Sequence, residues 1–302
     1  MSRPAAPALT SDHPAPAVVL ELLKPITWFP PMWAFACGVV SAGVASQGHW
    51  PLIIAGVILC GPLLCASSQA VNDWFDRHVD AINEPNRPIP SGRMPGRWGL
   101  FVACLWSALS LGWAALLGSW VFAASAAGLV LAWAYSMPPV RLKQNGWWGN
   151  AACAVCYEGF AWVTGAAVMA GGAMPSARII ALAALYSIGA HGIMTLNDFK
   201  SVEGDRRSGV GSLPVRLGAE AAGRVACIAM ALPQVIVVRL LFLWGAPYHA
   251  IAVVAVLGVQ IALMMHLLTD PRRLAPWYNA TGISLYVTGM MISAFALRGI
   301  SA

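Results

Sequence analysis

The chain has 302 residues, 59% of them hydrophobic and only 10% charged. Soluble domains carry about 25% charged residues, so this composition excludes an ordinary water-soluble protein and points to a polytopic membrane protein. The net charge of +6 is read as loop topology and attraction to anionic lipid headgroups of the bilayer, and no nucleic-acid partner is expected.

Residues 1–17, "MSRPAAPALTSDHPAPA", read as a flexible Pro/Ala leader without the basic start and short apolar core of a secretory signal. Residues 18–302 read as one transmembrane domain. Nine apolar runs near the ~20 residues that a membrane-crossing helix needs fall at 26–45, 51–71, 98–117, 119–136, 150–170, 177–196, 225–243, 248–268 and 277–297. Connections at 46–50, at Gly118 and at 245–247 are so short that the helices they join must be antiparallel. The runs are apolar on both faces, unlike the alternation of a membrane barrel. The fold class is therefore all-α, with about nine transmembrane helices.

At the end of the second run stands "NDWFDRHVDAINEPNRPIPSG", residues 72–92. It gathers four of the chain's 12 acidic residues, Asp73, Asp76, Asp80 and Glu84. The i, i+3, i+7 spacing of the three aspartates puts them within about 60° on one helical face. The helix is expected to continue until Pro85 forces Glu84 out of the helical region. Three carboxylates on one face repel each other, and two explanations fit. One is a solvated face with local pairs to Arg77 and Arg87. The other is a set of oxygen ligands for a divalent cation, not of the EF-hand type, whose acids alternate around a central Gly.

The loop after the fourth run carries Arg141 and Lys143. The fifth run contains Cys153 and Cys156, a C-x-x-C with no second ligand pair, so these and the other five cysteines read as small buried hydrophobes. Glu158 in the fifth run and His191 in the sixth are ionisable groups inside the membrane. Each reads either as a helix-to-helix hydrogen bond or as a cavity residue that contacts substrate.

The sixth run ends in "NDFKSVEGDRRSG", residues 197–209. Asn197, Asp198 and Asp205 follow Asn72, Asp73 and Asp80 by 125 positions each, so the chain looks internally duplicated. Ser201 stands where Asp76 has its counterpart, and Glu203 adds a carboxylate two positions later. Two facing carboxylate patches can hold Mg²⁺, which takes one or two carboxylates per ion and completes its shell with water and phosphate oxygens. That implies a phosphorylated, partly lipid substrate. Around the patches lie Arg77, Arg87, Arg93, Arg141, Lys143, Lys200, Arg206 and Arg207. Singly each is a charge at a membrane border; together they read as a diphosphate pocket.

With the N-terminus inside, 15 of the 18 Lys and Arg residues fall on one side of the membrane. The positive-inside rule then gives an N-in, C-out topology, with both acidic patches on the cytoplasmic side. An ion-coupled transporter would carry its acids near the midplane. A pigment-binding protein without catalysis would not need duplicated aspartate patches.

"NDWFDRHVD" and "NDFKSVEGD" resemble the two aspartate motifs of the UbiA-type intramembrane prenyltransferases. Within that superfamily, "DAINEPNRPIPSGR" and "NDFKSVEGDRRSGVGSLPVRLG" are similar to the chlorophyll and bacteriochlorophyll synthases, more to the bacterial branch. The likeness runs from "LKPITWFPPMWAF" to "APWYNATGISLYVTGMMISAFALRG". The resemblance implies nine helices around a central cavity and transfer of a C20 prenyl group, geranylgeranyl or phytyl, from its diphosphate to the 17-propionate of bacteriochlorophyllide a. It implies that Asn72, Asp73, Asp76 and Asp80 form the first Mg²⁺-diphosphate motif, and Asp198 and Asp205 the second, with Asn197 beside it. Ser201 departs from the pattern, which leaves Glu203 as an alternative ligand. A bacterial cytoplasmic membrane is the implied location, and other pigment-biosynthesis or assembly proteins are the implied neighbours. The acceptor is a carboxylate, ionised near neutrality, so no general base is required.

Overall fold

The computed structural model describes residues 12–301, and the regular elements among them are helical apart from one isolated backbone bridge. Helix α1 (Pro16–Leu23) precedes α2 (Phe29–Ser41). Helix α3 (Trp50–Ile58) passes through a π-helical segment (Leu59–Cys65) into α4 (Ala66–Asn83). Helices α5 (Trp98–Leu117) and α6 (Ser119–Ser136) follow. Helix α7 (Gly146–Ala154) continues through a second π-helical segment (Val155–Phe160) into α8 (Ala161–Met169). Then come α9 (Ala177–Asn197), the short α10 (Val202–Ser208) and α11 (Leu213–Leu217), and three long rods, α12 (Ala219–Leu243), α13 (Pro247–Leu267) and α14 (Pro271–Ser301).

Among the described residues, 8 helical rods are long and apolar enough to cross a membrane, which makes the chain a multi-pass membrane protein. The expected first span, 26–45, is the exception. Its helix α2 has 13 residues, about 20 Å of rise, against a hydrocarbon core of about 30 Å. Pro25 opens a separate 3₁₀ turn, Pro30 and Pro31 fix the first turn of α2, and the chain turns away at Gly43, whose φ is 74°. The proline-rich entry thus shortens a run whose hydropathy alone suggests a full span.

The expected leader, 1–17, lies outside the described residues as far as residue 11. From residue 12 the chain is seated on α5. The carbonyl of Asp12 accepts the Trp98 indole N–H at 2.9 Å, and His13 stands edge-on to the same ring.

Helices α2 and α8 cross at Gly38 and Gly165. A Cβ on Gly38 would collide with the Trp162 carbonyl, and one on Gly165 with that of Phe35. Only hydrogen at both positions lets the backbones approach so closely. Around this crossing the main core packs Trp162 on Tyr186 (ring centroids 5.7 Å apart) and Tyr186 against Tyr286. The tyrosine hydroxyls are spent internally. Tyr286 donates to the Tyr186 carbonyl at 2.6 Å, and Tyr186 pairs with Ser293 Oγ at 2.8 Å. Between α12 and α13 the buried amides of Gln234 and Gln260 exchange hydrogen bonds at 3.1 and 3.2 Å, a polar lock suited to an apolar medium.

A second, smaller core joins Leu22 and Leu23 of α1 to Ala66, Ala70 and Val71 of α4, to Met94, and to Val102 and Ala103 of α5. It anchors α1 and the 84–97 loop against α4. That packing sets Lys24 and Arg87 over the first acidic motif.

Candidate active site

Helix α4 runs unbroken from the π-helical segment to Asn83, and Glu84, ahead of Pro85, leaves it with φ −140° and ψ 63°. The steric restriction before proline ends the helix as expected. Each of the three aspartates on this helix meets a cation. Lys24 Nζ lies 2.6 Å from Asp73 Oδ1, and Arg87 Nη1 lies 3.4 Å from the same oxygen and 2.8 Å from Asp80 Oδ2. Arg141 Nη2 is 3.1 Å from Asp76 Oδ1, which Lys143 also pairs. Asn72 donates to Asp76 Oδ2 at 3.0 Å and to Ser136 Oγ at 3.2 Å.

Burial works against the Arg87 cation, but Asp73 and Asp80 outweigh it and hold the guanidinium above its usual range. At Lys143 burial wins over the attraction of Asp76, and the ammonium is held below its usual range. These are charges kept in a poorly solvated place, and there they act on an anion more strongly than surface charges do.

The second motif repeats the first in sequence but not in backbone. Helix α9 stops at Asn197, Asp198–Lys200 form a 3₁₀ turn, and α10 starts at Val202. Asp198 Oδ2 accepts from Asn150 Nδ2 at 3.0 Å, and the same amide reaches Thr195 Oγ1 at 3.3 Å. Burial raises the Asp205 carboxyl above its ordinary range. The loops that follow α6 and α10 are tied together, because Gly146 N–H donates to the Gly211 carbonyl at 2.9 Å and Gly211 N–H to that of Gln144 at 3.0 Å. That bridge fastens the Arg141–Lys143 loop to the segment behind Asp205.

Both motifs reach one cavity of about 220 Å³, lined by Asn72 from the first, Asn197 and Asp198 from the second, and Gln69, Tyr135 and Tyr157 between them. A narrower, mostly apolar cavity shares its wall at Ser68, Ala132, Cys156 and Tyr157 and extends along α6 past Gly128 to Ala124. A polar mouth over an apolar recess fits an amphiphile with a charged head.

Several expected site residues turn elsewhere. Arg77 donates to the Trp74 carbonyl at 2.6 Å and stacks on the Trp74 ring, off the aspartate face. Glu203 is exposed and paired with Arg207 at 3.0 Å and Arg206 at 3.9 Å, so neither Glu203 nor Arg206 faces the cavity. The break after Asn197 puts them on the solvent side of α10. Lys200, on the 3₁₀ turn, is exposed. Glu158 is buried in the main protein interior and His191 stacks on Trp147, with Nε2 3.2 Å from its carbonyl oxygen; neither lines the two cavities. Glu84 pairs with Arg87 at 2.6 Å from a largely exposed position.

Residues 29–288 match the UbiA prenyltransferase family. The chain belongs to that family. As a UbiA protein it is a prenyltransferase. It is 56% identical over 287 residues to a "Bacteriochlorophyll synthase 33 kDa chain" of Cereibacter sphaeroides, covering 95% of each chain. It is 53% identical to the protein of that name in Rhodobacter capsulatus, again over 95% of each. It is 40% identical to the chloroplastic chlorophyll synthase of Arabidopsis thaliana, over 92% of this chain and 73% of that one. In fold it is similar to a UbiA homolog from Archaeoglobus fulgidus bound to GPP and Mg²⁺, with a TM-score of 0.70 at 20% identity, covering 94% of this chain and 100% of the other.

Within this UbiA site, sequence reading missed Lys24, Asn150, Gln69, Tyr135 and Tyr157. Lys24 and Asn150 are polar residues at the borders of apolar runs, which is a usable signal. The others lie inside the runs, where no pattern separates a cavity wall from a helix-packing face.

Proposed function

We propose that this chain transfers a C20 prenyl group, geranylgeranyl or phytyl, from its diphosphate to the 17-propionate of bacteriochlorophyllide a. The observation that carries the reading is the cavity in which Asn72, Asn197 and Asp198 meet above an apolar recess. Its identity of 56% and 53% with two proteins named bacteriochlorophyll synthase supports the choice of acceptor.

The donor set suits Mg²⁺. Asp73 is 1% exposed and its Oδ2 is buried without a partner, an acceptor oriented away from Lys24 and Arg87. Among the described residues no three His, Cys, Asp or Glu side chains enclose an ion by themselves. An ion here would take one or two aspartate oxygens and complete its shell from water and diphosphate, as Mg²⁺ does. We assign Asp73, Asp76 and Asp80 to one such ion and Asp198 and Asp205 to the other. When bound, Mg²⁺ neutralises the departing diphosphate.

The chain's own cations share that task. Lys24, Arg87, Arg141 and Lys143 already face the first motif, and a diphosphate seated between the motifs would draw on the same charges. The C1–O bond of the allylic diphosphate breaks with its electron pair leaving on the diphosphate. A propionate oxygen then bonds to C1. The carboxylate arrives ionised, so the site needs no base. Asn72 and Asn150 orient Asp76 and Asp198 by hydrogen bonds. Tyr135 and Tyr157 line the polar mouth, where aromatic walls favour positive charge at the ionising carbon and help to exclude water. The inside-rich distribution of Lys and Arg supports an N-in topology with this mouth on the cytoplasmic side.

The test is to incubate membranes containing the full chain with bacteriochlorophyllide a, geranylgeranyl diphosphate and Mg²⁺, and to separate esterified pigment by chromatography. Ester that disappears on chelation is expected. Absence of ester, or ester indifferent to chelator, would overturn the proposal.

A further inference from the structure

The two π-helical segments among the described residues sit on different rods, yet both line the same recess. Leu59–Cys65 contributes Cys60, Leu64 and Cys65, and Val155–Phe160 contributes Cys156, Tyr157 and Phe160. Pro62 explains the first, because a proline without an N–H inside a rod forces the turn around it to widen. Opposite them α6 offers Ala124, Gly128 and Ala132, one turn apart on one face. Two widened rods against a face of small side chains leave a slot, where ordinary helix packing would have closed it.

The slot has a direction. It begins at the wall shared with the polar cavity, at Ser68, Ala132 and Tyr157, and reaches Cys60, Ala124 and Thr164. Eight residues along α6, from Ala132 to Ala124, correspond to about 12 Å of depth. Ser125, 1% exposed, lines the same slot, and its Oγ has no partner within the protein. This hydroxyl is one polar atom in a mostly apolar lining, and the case for a guest rests on the slot's shape and that lining. At Gly128 a Cβ would meet Phe160 Cδ2 at 3.7 Å, an ordinary contact, so one methyl fits and anything larger projects into the slot.

We infer that this slot receives the distal isoprene units of the prenyl donor and that Gly128 and Ala124 set the tail length the enzyme accepts. The inference rests on the prenyl-transfer reading and adds to it a specificity determinant: α6 fixes how far the tail extends. Gly128 lies about midway and Ala124 at the end, so blocking them should cut off tails at different lengths.

The experiment uses the full chain in membranes with geranyl, farnesyl and geranylgeranyl diphosphates, measuring diphosphate release as well as pigment ester. Gly128→Leu should lower kcat/KM for the twenty-carbon donor by at least about tenfold relative to the ten-carbon donor, the discrimination that one or two misplaced methylenes produce. Gly128→Ala should keep the wild-type ratio. Ala124→Leu should penalise the twenty-carbon donor alone. Ratios unchanged in both leucine variants, or all three donors falling together, would overturn the inference. Wild-type release of diphosphate without pigment ester would instead overturn the acceptor reading and leave the length ratios as the test of the slot.

Discussion

Asp73→Asn keeps the size and helical fit of the side chain and removes one negative charge from a residue that is 1% exposed. Two effects follow. Lys24, 2.6 Å away, and Arg87, 3.4 Å away, lose an ion pair with side chains still 22% and 24% exposed. Breaking a fully buried pair costs about 3–5 kcal/mol. Here water reaches both cations and Arg87 keeps Asp80 at 2.8 Å, so about 1–2 kcal/mol of stability is a reasonable loss. The proposed function makes the effect on catalysis larger, because in it Asp73 would supply a metal oxygen besides anchoring Lys24 and Arg87. Removal of one preorganised charge partner of a leaving anion costs about 2.7–4 kcal/mol, or 10²–10³ in rate. The assay is esterification of bacteriochlorophyllide a in membranes, normalised to folded protein by a thermal melt in detergent. A wild-type rate in a variant that melts normally would refute the assignment and leave Asp73 as a structural partner of Lys24 and Arg87.

Other substitutions separate residues that sequence groups together. Arg77→Ala should keep activity within about threefold, because Arg77 is turned to Trp74, whereas Arg87→Ala should lose about 100-fold; equal losses in the two assays would contradict the observed division. Asn150→Leu removes the amide that holds Asp198 at 3.0 Å, a charge-assisted bond of about 1.5–3 kcal/mol, so kcat/KM should fall roughly 10- to 100-fold; steady-state kinetics at saturating Mg²⁺ check it. Gly38→Leu drives a side chain into the Trp162 carbonyl and should cost about 3 kcal/mol or more of stability, read as a lowered melting temperature in detergent.

The repeat of Asn and Asp at 125-residue spacing was legible because helical register and membrane-end position are written in residue identity. The end of α4 at Glu84 was legible for the same reason, since Pro85 imposes it locally. The second motif reads differently in three dimensions. Its 3₁₀ turn after Asn197 leaves Glu203 and Arg206 on the outer side, and a register argument does not forecast that break. Arg77 misled because charge is visible in sequence but side-chain direction is not. Glu158 stood open in sequence between a helix-packing and a cavity role, because an intramembrane acid signals function by default; it is buried on the second π-helical segment and lines neither cavity. The shortened α2 was announced by Pro25, Pro30 and Pro31, which a hydropathy window averages away.

Backbone strain gives a separate line of argument about the first motif. Among the described residues, Lys24 and Arg141 are the non-glycine residues with positive φ, 48° and 36°. Both bring a cation to the motif, Lys24 to Asp73 and Arg141 to Asp76. A left-handed backbone costs an L-residue about 1–2 kcal/mol, about as much as the partly buried pairs of Asp73 are worth, so stability gives lysine at position 24 no net advantage. Strain retained at such places belongs with function. The two roles separate by substitution. Lys24→Met keeps the strained backbone and removes the ammonium; Lys24→Gly removes both, since glycine adopts this conformation freely. Lys24→Gly should therefore melt at a higher temperature than Lys24→Met, by the equivalent of about 1 kcal/mol, while both lose activity to the same extent. If Lys24→Gly instead esterifies pigment at the wild-type rate, the left-handed backbone is what the site requires from position 24, and the ammonium has no part in holding the diphosphate.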